Sequence, residues 1–344
     1  MSKASTNAAR GPLVHLAVLA VSVAAAVGVW TRDKEPKAMA AGDITVWSGH
    51  ADAVERVTFE SKTHRVALDA KTDKVGRYFV GTTVRDAPAP APMPASDGGA
   101  PPVAAAAPPT TTTLVSVGGA DKLATALAPL KALRSLGRIG DDRAAEFGLA
   151  EPDGTVTFRV AGAEHKLILG GTTPGGGDRY VKDPASGEVY VLKGEPLRSL
   201  ESAESSLMER ELHEWKDGDV TALQIVAGGK TRALVRGGAE AKKFWADAAK
   251  PDENDETLGN WMSKLDRLRP TEFVAAPPEG RETVVRLDYK GDRRDLGFIE
   301  IVKTKATEPG KFEYFLQTER TRLFAKVSAA LGEQLEQDLG SAVK

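Results

Sequence analysis

Gly170-Gly171-Thr172-Thr173-Pro174-Gly175-Gly176-Gly177 is the stretch of this 344-residue sequence that comes nearest to a phosphate cradle. Such a cradle needs G-x-x-x-x-G-K-[ST] between a strand and a helix, because backbone N–H groups and a lysine must converge on the anion. Here Asp178 stands where the lysine belongs, and a carboxylate repels phosphate, so the run reads as a hairpin loop. Asp252-Glu253-Asn254-Asp255-Glu256 carries the carboxylates of a calcium loop. Thr257, however, replaces its turn-forming glycine, and Ser263 stands where the bidentate glutamate is required. Following Pro251, the run reads as a surface turn capping the next helix. His15, His50, His64, His165 and His213 form no H-E-x-x-H and no pair at helical ligand spacing, and His64 and His165 fall in hairpins that look exposed. Glu201, Glu204, Glu209 and Glu211 read as a solvated helix face, not a catalytic carboxylate pair. The expectation is a protein that is not an enzyme, with no catalytic residue, no cofactor and no metal.

The aromatics carry more information. Tyr180, Tyr190, Phe244, Trp245, Trp261, Tyr314 and Phe315 fall in strands or on apolar helix stripes, where core packing is the default. Trp245, Trp261, Tyr180 and Tyr314 are the candidates for rings that face outward and bind a partner.

The elements that must position these residues follow from periodicity. Val57 to Glu60 and His64 to Leu68 alternate apolar and polar residues as a hairpin, followed by Arg77 to Val80. Val220 to Val226 and Thr231 to Val235 repeat that hairpin, followed by Lys243-Phe244-Trp245. A helix comes next in both halves. Leu123, Leu127, Leu130, Leu133 and Leu136 mark the first, and Leu258, Trp261, Met262, Leu265 and Leu268 the second. Strands at Thr155 to Val160 and Thr283 to Asp288 lead to Lys166 to Leu169 and Leu296 to Val302. Tyr180 and Tyr190 then match Tyr314 and Phe324, and each pair precedes an amphipathic helix, Leu197 to Leu207 or Val327 to Leu339. The fold class expected is α+β: two repeated modules of mainly antiparallel sheet with packed helices, 44–208 and 209–344.

Pro12 to Trp30 has no charge apart from a protonatable His15, and as a helix its residues span roughly 28 Å, close to the ~30 Å of a hydrocarbon core. Three readings stand: a retained transmembrane anchor over 12–30, a cleaved signal peptide ending near Ala24-Ala25-Ala26, and a buried core helix. The anchor reading gives a cytoplasmic tail at 1–11, a linker at 31–43 and a single-pass protein of the inner membrane. Its N-terminus lies inside and its C-terminal domain in the periplasm. Ala87 to Thr113, rich in Pro, Ala and Thr, reads as a disordered insertion in the first module, because it offers too little apolar surface to offset the entropy of ordering. A formal net charge of -2 argues against nucleic acid as a partner, and the absence of cysteine removes disulfides, thiolate metal sites and lipid-modified cysteine.

Glu146-Phe147-Gly148-Leu149-Ala150-Glu151-Pro152 resembles the "yGL..P" element of an uncharacterised bacterial family, domain of unknown function 4340. Leu167-Ile168-Leu169-Gly170, Arg179-Tyr180-Val181 and Gly187-Glu188-Val189-Tyr190-Val191-Leu192 are similar to the family's "l.iG…..YV…..G.VYvv". The resemblance covers Val57 to Asp247 well and the remainder loosely. Tyr78-Phe79 and Phe244-Trp245 occupy the place of a family Trp-Leu-Pro, with the proline missing. The resemblance implies an N-terminally anchored protein, often encoded beside gliding-type ABC transporter components, and it implies no catalytic residues. The function expected is a non-enzymatic accessory or scaffold subunit of an envelope complex, associated with an ABC transporter or motility machine and partnered by an integral-membrane protein. The alternatives are a periplasmic cell-wall or polysaccharide-binding protein, and a hydrolase whose residues converge only in three dimensions.

Overall fold

A computed structural model describes Ser22 and residues 44–87, 107–239 and 243–344. Pro12 to Trp30 lies outside the described residues apart from Ser22, as does 88–106 of the Pro-rich segment. Among the described residues no helix is long and apolar enough to cross a membrane. Thr45–Lys344 form one compact unit, a mixed α+β body dominated by antiparallel sheet.

The strands of the first half are β1 (Ile44–Trp47), β2 (Val54–Ser61), β3 (His64–Thr72), β4 (Arg77–Arg85), β5 (Thr110–Ser116), β6 (Leu130–Ala132), β7 (Arg134–Arg138), β8 (Gly154–Val160), β9 (Ala163–Thr172), β10 (Asp178–Lys182) and β11 (Glu188–Lys193). Helices α1 (Gly118–Leu127), α2 (Gly194–Glu201) and α3 (Ala203–Ser206) accompany them. The second half holds β12 (Ala222–Ala227), β13 (Lys230–Gly237), β14 (Phe244–Asp247), β15 (Glu272–Phe273), β16 (Glu282–Lys290), β17 (Asp295–Lys305), β18 (Phe312–Thr318) and β19 (Ala325–Val327), with α4 (Glu256–Leu265) and α5 (Ala329–Ala342).

Antiparallel ladders run β4-β3-β2-β8-β9-β10-β11-β7 in the first half. In the second they run β14-β13-β12-β16-β17-β18-β19-β15, the same order position by position. β5 pairs with β4 along its length and touches β15 through a single residue pair, Thr113 with Phe273, so the two halves join edge to edge. Alternation places Val57, Phe59, Leu68 and Phe158 in the first core and Leu223, Ile225, Leu287 and Ile299 in the second, all buried. Phe79 on β4 and Trp245 on β14 fill the same place, each beside an arginine, Arg77 at 4.7 Å and Arg236 at 4.0 Å from the ring centroid.

Four expectations change. The first helix stops at Leu127, and Leu130 and Leu136 pass into β6 and β7. Pro129 explains this, since it has no N–H to donate and disfavours helical geometry at Ala128. The final helix of the first half breaks at Ser202 into α2 and α3. Thr110 to Thr113, assigned to the disordered insertion, are paired strand in β5, where β-branched side chains suit the pleat. The aromatic match shifts by one residue. Lys193 and Ser328 are the N-caps of α2 and α5, and the strand residues just before them, Leu192 and Val327, pair with Arg179 and Tyr314. Arg179, not Tyr180, therefore stands where Tyr314 stands, and Tyr180 points to the opposite face of its sheet.

Removing a fully buried ring should be far more damaging than removing an exposed one. Phe158→Ala is expected to cost about 3–5 kcal/mol, and Phe312→Ala, at a position 38% exposed, to stay within about 0.5 kcal/mol. Urea unfolding of the two variants checks the contrast.

Candidate functional site

Asp73 and Tyr78, at the β3–β4 turn of the first half, lie opposite the β17 and β18 ends of the second. The cleft between them encloses about 460 Å³ and is lined by Tyr78, Leu296, Phe298, Leu323, Glu319 and Arg322, with Asp73, Lys74 and Asp295 among its other residues. Arg322 follows β18, and its side chain is 5% exposed. Its Nε donates to Asp73 Oδ2 at 3.3 Å, its Nη1 donates to the Arg320 carbonyl at 2.8 Å, and its guanidinium lies 5.1 Å from the Tyr78 ring centroid. Glu214 stands 3.5 Å from Nη1. Nη2 is buried without a hydrogen-bond partner. The Arg322 backbone has φ +58°, a left-handed conformation that costs a residue other than glycine about 1–3 kcal/mol. Burial works against the Asp73 charge, but hydrogen bonds from Gly76 and Val75 N–H and the Arg322 guanidinium outweigh it and hold the carboxyl below its usual range.

Glu319, on the cleft wall, has both oxygens engaged. Oε1 meets His213 Nδ1 at 2.8 Å and Oε2 accepts from Phe298 N–H at 3.0 Å. That close approach requires glycine at 297, whose φ is +154° and where a Cβ would lie 2.2 Å from the Glu319 carboxyl. His213 stacks on Trp215 at 4.1 Å and meets the edge of Tyr289 at 5.0 Å. Burial, with Asp266 and Glu319 nearby, pushes the Tyr289 hydroxyl well above its ordinary range. The cleft residues thus supply both signs of charge and apolar surface.

The halves are locked beside the cleft by Glu209, itself 6% exposed. Its Oε2 accepts from Arg320 Nη2 at 3.1 Å and from Gly118 N–H at 3.4 Å, and its Oε1 from the N–H groups of Arg210 and Glu211.

The residues singled out from sequence fall elsewhere. Trp261 is 2% exposed and its Nε1 donates to the Leu335 carbonyl at 3.0 Å, tying α4 to α5. Tyr314 is 3% exposed and its hydroxyl donates to Glu336 Oε2 at 2.7 Å. Tyr314 also lines a recess of about 560 Å³ together with Phe312 and Lys303. Trp245 is 6% exposed under Arg236, at the wall of a second recess of about 450 Å³ that also holds Asp217 and Asp266. Burial, then the Asp217 charge, raises the Asp266 carboxyl above its ordinary value. Tyr180 is half-buried, edge-on to Phe147 at 5.1 Å.

The acidic cluster is not a free helix face. Glu201 accepts from the buried Arg179 at 2.5 Å, and Glu204 from Thr83 at 2.8 Å and Arg85 at 3.1 Å. His64 is buried rather than exposed, 3.5 Å from Glu204, and His165 stacks on Trp47 at 4.6 Å. The Asp252 to Glu256 run does cap α4, through Asp255 accepting from Leu258 N–H at 2.9 Å.

Residues 120–288 match the family model described as Domain of unknown function (DUF4340). Over these residues, just under half of the chain, the protein is similar to that family. The match runs from α1 to β16, so it begins later than the resemblance read from the motifs and extends further. No curated protein and no solved structure matches the chain. The DUF4340 motif residues pack on one another. Gly148 has φ +67°, a Cβ there would lie 2.4 Å from Gly171 N, and Phe147 meets Tyr180. These motifs therefore serve packing, whereas every residue lining the cleft lies outside the DUF4340 match.

Two outcomes are expected. Arg320→Ala leaves the Glu209 carboxylate buried without its ion-pair partner and should destabilise the protein by about 3–5 kcal/mol in urea, with Glu209→Gln in the same background recovering part of the loss. The second concerns pH. Burial, then Arg85, lowers His64 below its ordinary 6.5. The folded protein therefore keeps this ring neutral while the unfolded chain takes up a proton first. Stability should fall as pH drops below about 6.5, and His64→Gln should flatten that slope in melts recorded between pH 7.5 and pH 5, values set around the same transition.

Proposed function

We propose that the chain is a non-enzymatic accessory subunit of an envelope complex, held at the inner membrane by Pro12 to Trp30 as a single span with its N-terminus inside and its folded body in the periplasm. The observation that carries this reading is the uncharged, span-length run of Pro12 to Trp30 ahead of a large rigid sheet. The partner it implies is an integral-membrane protein such as an ABC transporter component, with a motility complex as the related setting.

The repeated strand order supports reading the body as two modules, 44–208 and 209–344, that arose by duplication. A second correspondence supports it too. Glu201 bonds to Arg179 and Glu336 to Tyr314 at the same sequence separation, 22 residues, each bridging a strand to the helix that ends its half. A polysaccharide-binding role calls for an open groove lined by aromatic rings. Among the described residues Phe312 is exposed and shares a recess of about 560 Å³ with Tyr314, while Trp261 is buried, so that reading keeps one aromatic-lined recess in its favour.

Membrane fractions should retain the protein through carbonate washing, and protease added outside spheroplasts should degrade most of the chain. Deleting Met1 to Trp30 behind another export signal should abolish function, because tethering raises the effective concentration at a membrane partner to the millimolar range. Detergent co-purification should recover an integral-membrane protein with the intact chain and much less with the released body. A protected C-terminal body would overturn the orientation. A single His or carboxylate substitution that removes activity while leaving the melt unchanged would replace the subunit reading with an enzyme.

A further inference from the structure

The cleft between the halves encloses about 460 Å³, within the roughly 300–1,000 Å³ of small-molecule sites. Tyr78, Leu296, Phe298 and Leu323 give it apolar walls, while Glu319, Asp295 and the Arg322-bound Asp73 bring carboxylates and Lys74 and Arg322 bring cations. Two independent irregularities fall on one of these residues. Arg322 keeps a buried Nη2 with no partner, and its backbone holds a left-handed conformation that persists only where the surroundings impose it. An unmet buried donor is costly, and strained residues concentrate at ligand clamps.

A ligand bearing only an anion would enter beside Asp295 and Glu319. A ligand bearing only a cation would enter beside Lys74 and Arg322. Opposite charges on one short apolar body suit both walls. We propose that this cleft binds a small zwitterion with an apolar side chain, an amino acid or short peptide, whose carboxylate is met by Arg322 and Lys74 and whose ammonium is met by Glu319 and Asp295. The side chain lies among Tyr78, Leu296 and Phe298. The proposal goes beyond the assembly role and is independent of it, since it concerns a cleft within the folded body.

The test uses the full chain in detergent and the dipeptide leucyl-phenylalanine, with its N-acetylated and C-amidated forms, octanoate and octylamine as comparators. Binding is read from thermal unfolding and from the fluorescence of Trp215, which stacks on the histidine bonded to Glu319. The dipeptide should stabilise the protein saturably, and blocking either end should weaken binding about tenfold, the scale of one charged hydrogen bond. Lys74→Glu and Asp295→Asn, both at exposed positions, should weaken it comparably without moving the unliganded melt. Leu296→Trp should fill the cleft and abolish binding. Absence of saturable binding at millimolar dipeptide, equal binding of the blocked forms, tighter binding of octanoate or octylamine, or full binding by Leu296→Trp would each overturn the proposal.

Discussion

Glu209 is a buried carboxylate at the point where one half of the protein ends and the other begins, and a charge so placed must be neutralised where it stands. Its partners come from both sides of the junction: Arg320 from the turn after β18, and Gly118 N–H from the start of α1. Its own N–H donates to the Val115 carbonyl at 2.7 Å, so the connecting segment is fastened to β5 as well. The β5–β15 contact is a single residue pair, too little ladder to fix the halves by itself. Charge compensation at Glu209 therefore ties the two halves together, as the Arg322–Asp73 pair does at the cleft.

The same turn that delivers Arg320 also delivers Arg322, two residues later and on a left-handed backbone. Thr321, fully buried, holds the turn by accepting from Thr318 N–H at 2.9 Å. Gln317 donates to the Arg322 carbonyl at 2.6 Å. One strained turn thus aims one arginine at the buried carboxylate and the next at the cleft. The strain is local, and the surrounding hydrogen bonds and two ion pairs offset it.

Much of this architecture is legible in the sequence because it depends on short-range pattern. The hairpins of β2–β3 and β12–β13, the α4 stripe of Leu258, Trp261, Met262 and Leu265, and the Asp255 cap all follow from period and turn chemistry. The misreadings have physical causes. The leucine spacing through Leu136 carries helical period, but Pro129 interrupts the hydrogen bonding that a helix needs. Glu201, Glu204 and Glu209 look like a solvated face because a sequence does not display Arg179, Arg85 and Arg320, distant in the chain, that fold onto them. Tyr180 and Tyr314 share a residue type and a spacing but face opposite sides of their sheets, a slip of one residue that only a ladder register exposes.

The cleft was out of reach for a further reason. Its residues come from 73–78 and 295–323, brought together by the join between halves and not by any motif. The DUF4340 match stops short of both segments, and its motif glycines and aromatics answer to close packing between the turn at Gly148 and β9 and β10. A constraint imposed by a Cβ colliding with backbone at 2.4 Å acts on any sequence that keeps this fold, whatever the protein binds. Residues that line the cleft lie outside that constraint, held by their own contacts, such as Arg322 with Asp73 and Glu319 with His213. The segments 73–78 and 295–323, rather than the family motifs, therefore shape the cleft.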